Sequence, residues 1–77
     1  MSRFPIITPR QLIAALKKKG FYEDRQVGSH LILVNSQRDQ TISVPAHKGK
    51  TLGRGLTLAI LKDANLSREE FLELLKK

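Results

Sequence analysis

The chain has 77 residues, with 14 Lys+Arg against 7 Asp+Glu and a formal net charge of +7. This length fits a single domain, residues 1–77, and excludes a cofactor cleft between two cores. The lack of cysteine excludes disulfide staples, zinc–thiolate sites and thiol nucleophiles, while 40% apolar content suffices for one small core.

The longest apolar runs, Leu31–Val34 and Leu58–Leu61, fall far short of the roughly 20 residues that cross a bilayer. The opening Met-Ser-Arg-Phe-Pro also lacks the apolar stretch of a secretory signal. The expectation is therefore a soluble, cytoplasmic protein with no membrane partner. Its charges are segregated along the chain. Arg3, Arg10 and Lys17–Lys19 precede any acid, and Pro45–Lys62 holds Lys48, Lys50, Arg54 and Lys62 with no acid. Such segregation suits a face that binds an anionic partner, nucleic acid being the commonest.

The first predicted element is a helix. Thr8 can cap it, Pro9 fits the first helical position, and Gln11 completes a capping box with Ile7 and Leu12 as the hydrophobic staple. Leu12, Ile13 and Leu16 form its apolar stripe, with Ala15 adjoining. Lys17–Lys19 favour the negative end of the helix dipole, and Gly20 supplies a left-handed stop. Three strands follow. Phe21–Val27 has a charged middle, Gly28-Ser29 marks a tight turn, and His30–Val34 is the most apolar run. Thr41–Val44 puts Ile42 and Val44 on one face, and Pro45 ends the ladder. Short loops favour an antiparallel meander. Beyond the loop Ala46–Gly53, Leu56, Ala59 and Ile60 recur at helical spacing with Leu52 ahead of them, and Asn65 stops the helix. Ser67 and Glu70 repeat the capping-box pattern, with Leu66 and Phe71 as staple and Phe71, Leu74 and Leu75 as inner stripe of a short last helix. The expected class is α+β, an antiparallel three-stranded sheet with helices on one face.

Groups able to do chemistry are few. No metal-ligand spacing occurs, and no carboxylates cluster near either histidine. Gly49-Lys50-Thr51 mimics the tail of a phosphate-binding loop, but none of the four preceding positions is glycine and no strand–loop–helix context surrounds it. His30 and His47 remain. In a meander, the turn between the first two strands lies at the same end as the finish of the third, so Gly28-Ser29-His30 is expected beside Pro45-Ala46-His47-Lys48-Gly49-Lys50. An imidazole among phosphate-binding lysines suits attack of a ribose 2′-hydroxyl on the neighbouring phosphorus. The nucleophile then belongs to the RNA, and the protein needs neither metal nor cofactor. In the bland reading of the same residues, Gly28-Ser29 turns a hairpin and His30 starts a strand.

Gly28-Ser29-His30 leading into an apolar strand resembles the signature of the HicA mRNA interferases, the toxins of toxin–antitoxin pairs. Phe21 after a lysine-rich helix, Val44-Pro45-Ala46-His47 and Leu58–Leu66 resemble that family in the same order. The resemblance implies a double-stranded-RNA-binding-domain-like α-β-β-β-α fold, here with a short extra C-terminal helix. It also implies endoribonuclease action on mRNA and inhibition by a HicB-type antitoxin. By the same resemblance His30 is the catalytic residue, and His47 matches a common histidine of unsettled role. Many relatives carry a second histidine where this chain has Leu31, which leaves Ser29 and His47 as candidate helpers. Asn65 replaces a common glycine and shares its tolerance of the left-handed region. The expected phosphate contacts are Lys48, Lys50, Arg25 and Arg54. The alternative reading is a non-catalytic RNA-binding module of the same fold.

Overall fold

The computed structural model describes residues 4–37, 39–46 and 51–76. The chain begins its regular structure at α1, Pro9–Lys18, where the Thr8 hydroxyl accepts from the Gln11 backbone N–H while the Gln11 side chain accepts from the Thr8 N–H. This reciprocal box satisfies two donors that a bare helix start would leave open, worth about 1 kcal/mol. Leu12, Ala15 and Leu16 are buried and Ile13 packs beside them, as the stripe predicts. At the other end Gly20 takes φ +108°, and its Cα lies against the buried Asn35, whose side-chain amide donates to the Lys19 carbonyl. A side chain at position 20 would meet that amide at 3.2 Å.

β1 spans Tyr22–Val27, β2 His30–Asn35 and β3 Gln40–Pro45, in an antiparallel sheet of order β1-β2-β3. Gly28 turns the first hairpin with φ +60°, as its place at the first position of a two-residue loop requires. Cross-strand partners share a face, so the register sorts the side chains. Leu31 and Val44, then Leu33 and Ile42, pair on the side that meets the helices. His30 and Pro45, Ile32 and Ser43, and Val34 and Thr41 pair on the opposite side, and none of these six belongs to the core cluster.

α2, Arg54–Asp63, and α3, Arg68–Lys76, complete the helix layer. Asn65 between them has φ +58°, the left-handed stop expected there. The buried side of α2 differs from the expected stripe. Thr57, Ile60 and Leu61 face the core, whereas Leu56 and Ala59 are exposed. Thr57 can occupy the interior because its hydroxyl donates to the Gly53 carbonyl at 3.0 Å, leaving its methyl to pack. In α3 the Glu70 N–H donates to the Ser67 hydroxyl at 3.0 Å, and Leu66 and Phe71 are both buried, as the cap and staple predict. Phe71 stacks on Phe4 with ring centroids 5.8 Å apart, which draws the N-terminal segment under the last helix. The α1 lysines are tied into this frame: Lys17 pairs with Glu23, Lys19 with Glu70, and Lys18 donates to the Leu74 carbonyl.

Candidate active site on the open sheet face

His30 is the first residue of β2, exposed, and aligned with Val27 on one side and Pro45 on the other. The Ala46 N–H donates to the Ser29 carbonyl at 2.7 Å. This bond ties the end of β3 to the β1–β2 turn, the juxtaposition that the meander argument requires. Ser29 is half-buried at that junction and has further polar contacts of its own. His47, Lys48 and Lys50 lie outside the described residues; the chain reaches them directly after Ala46.

Arg25 reaches this face by the regular alternation of β1 next to the hairpin, and the irregularity of the strand begins only beyond it. Val27 pairs with His30 and Arg25 with Ile32, but Glu23 pairs with Leu33, so Asp24 is an extra residue opposite no single partner. Arg25 therefore stands on the same face as His30, diagonally across the ladder, a separation of about 7–8 Å. Ser43 on β3 occupies the mirror position, diagonal to His30 across Ile32 and Pro45. Asp24, beside Arg25 in β1, is bound to the Arg25 guanidinium. His30 thus has a cation on one flank and a hydroxyl on the other, with no uncompensated acid between them among the described residues. Such a group can receive a proton and hold a phosphate at once.

Arg54 does not join this cluster. It opens α2 in the helix layer, and its Nε donates to the Phe4 carbonyl at 2.6 Å. Two residues of the open face escaped the sequence reading. Ser43 could have been found by alternation, since Ile42 and Val44 flank it and point inward. Tyr22 could not, because its side depends on the irregularity at Asp24.

Among the described residues no group of three or more His, Asp or Glu side chains could hold a metal ion, and no helix is long and apolar enough to cross a membrane. No curated protein matches the chain. A family model described as the HicA toxin of bacterial toxin–antitoxin systems matches residues 9–66, from the first residue of α1 through the three strands and α2 to Leu66. That span includes every described residue around His30, and the chain belongs to the HicA toxin family.

Proposed function

We propose that the chain is a metal-independent endoribonuclease acting on mRNA, with His30 as general base. The observation that carries this reading is the position of His30: exposed, on the open face of the sheet, with Arg25 diagonal to it and the β3 terminus fixed alongside. The imidazole takes the proton of a ribose 2′-hydroxyl, and the freed oxygen attacks the adjacent phosphorus. Arg25 balances charge on the non-bridging oxygens, and Lys48 and Lys50 extend the phosphate contacts along the RNA. The bond from phosphorus to the 5′-oxygen of the next nucleotide breaks, and that oxygen takes a proton from solvent or from His47. Ser29 helps by holding the turn that presents His30. A base, an anion-binding flank and a nucleophile supplied by the substrate suffice, so the reaction proceeds without metal or cofactor.

Membership of a toxin–antitoxin family implies a pairing with an antitoxin. The HicB-type partner is read here as covering His30 and its basic rim, because a remote contact would leave so open a site accessible. Incubating the pure protein with end-labelled RNA and identifying the product termini tests the enzymatic reading. Cyclic 2′,3′-phosphate and free 5′-hydroxyl ends are expected. Bound but uncut RNA would leave a non-catalytic RNA-binding module.

A further inference from the structure

We infer that the open sheet face binds unpaired RNA and that Tyr22 stacks on a base near the cut. The inference rests on the ribonuclease reading above and adds to it a position and a substrate form.

The argument begins with the aromatic residues. Phe4, Phe21 and Phe71 are buried, whereas Tyr22 is 49% exposed. Tyr22 pairs with Val34, which places it on the same side of the sheet as Ile32, Arg25 and His30. It stands there only because of the extra residue at Asp24. Were β1 regular below Arg25, alternation would pair Glu23 with Val34 and turn Tyr22 toward the helices. The irregularity exchanges the two. Glu23 aligns with Leu33 on the helix side, where it pairs with Lys17, and Tyr22 comes out onto the open face. One inserted residue thus removes a carboxylate from the open face that carries His30 and puts an aromatic ring in its place. A carboxylate at that position would repel phosphate; a ring is what a base stacks on.

The rest of the face fits the same occupant. Val27, exposed, and Ile32 and Val34, half-buried, form an apolar floor, while Thr41 and Ser43 offer hydroxyls along β3. Four residue steps of β2 separate the His30 and Val34 rows, about 13 Å, a span that extended RNA covers in a short stretch. A paired base has its faces already covered by its neighbours, so Tyr22 selects single strands. An overall charge of +7 and the bound state of Asp24 favour a polyanion over an acidic-poor protein surface here.

Tyr22 is the single tyrosine and the chain has no tryptophan, so its intrinsic emission reports on this residue alone. The His30→Ala protein, which leaves RNA intact, is titrated with a single-stranded RNA and with a blunt duplex of the same sequence. Loss of tyrosine emission on single-strand binding is expected. In the same His30→Ala background, Tyr22→Leu should weaken single-strand binding about 5- to 150-fold, Tyr22→Phe should hold it within about twofold, and duplex binding should stay unchanged. Unquenched emission in the RNA complex, together with full affinity in Tyr22→Leu, overturns the inference. If Tyr22→Leu spares RNA but abolishes capture of the cognate antitoxin, the face is a protein interface and the inference is wrong. Wild-type protein that neither binds nor cleaves RNA would fail the ribonuclease reading itself. Wild-type cleavage with an indifferent Tyr22 would fail this inference alone.

Discussion

His30 and Arg25 stand diagonally across the β1–β2 ladder on the face of the sheet that no helix covers. Arg25 is also bound to Asp24, the residue that breaks the regular pairing of β1. The spacing of this pair is therefore set by backbone register, not by a loop, and strands hold such geometry more firmly than loops do. Each partner can be removed without touching the core.

Arg25→Ala should raise KM for RNA while changing kcat less, since the guanidinium holds phosphate and His30 handles the proton. It should also reduce the salt dependence of binding by about one phosphate contact. Titrations of RNA at several salt concentrations check this. An unchanged salt slope would show that Arg25 stays with Asp24 when RNA is bound.

The C-terminal helix lies beyond the span matched by the family model, yet Phe71 is fully buried and stacked on Phe4. Phe71→Ala should cost about 3–5 kcal/mol. That is a large fraction of the stability of so small a domain. Urea denaturation followed by circular dichroism measures it; a loss under about 1 kcal/mol would mean that α3 is an accessory to an independently stable fold.

Much of this architecture could be read from local chemistry. Thr8, Pro9 and Gln11 announce α1, Gly20 and Asn65 supply left-handed stops, and Gly28-Ser29 closes a two-residue hairpin. Each of these signals lies within a few residues of its effect. What escaped depends on distant partners. Nothing in Tyr22-Glu23-Asp24-Arg25 says that β1 holds an extra residue there, so the face of Tyr22 could not be foreseen, whereas the Arg25–His30 diagonal follows from the two-residue turn and strand alternation. Hydrophobicity alone chooses Leu56 over Thr57 for the inner side of α2, but Thr57 satisfies its own hydroxyl within the helix and is buried instead. The meeting of the β1–β2 turn with the end of β3 was foreseeable because it follows from strand order, and the Ala46–Ser29 hydrogen bond realises it as far as Ala46.

Because the proposed nucleophile is the substrate's own 2′-hydroxyl, excess EDTA should leave cleavage unaffected. A single 2′-deoxy substitution at the cut position should stop cutting there. Gel analysis of both reactions is sufficient. Activity lost to EDTA and restored by a divalent ion, or retained cutting at the deoxy position, would require a different attacking group.

Adding the cognate antitoxin should block cleavage and compete with RNA, if the partner covers His30 and its basic rim. Lys48→Ala and Lys50→Ala should each reduce the salt dependence of RNA binding by roughly one contact at most. Competition binding with labelled RNA resolves the point. A stable ternary complex with cleavage undiminished would contradict masking of the site.

The most direct measurement is the cleavage rate of His30→Ala on labelled RNA, with folding checked by circular dichroism, since His30 is exposed and outside the core. A general base contributes about 10² to 10⁴ in rate, and a loss of that size with native spectra is expected. His47→Ala should lose less; an equal loss would assign the two histidines paired acid and base roles. Wild-type cleavage by folded His30→Ala would contradict the account at its centre.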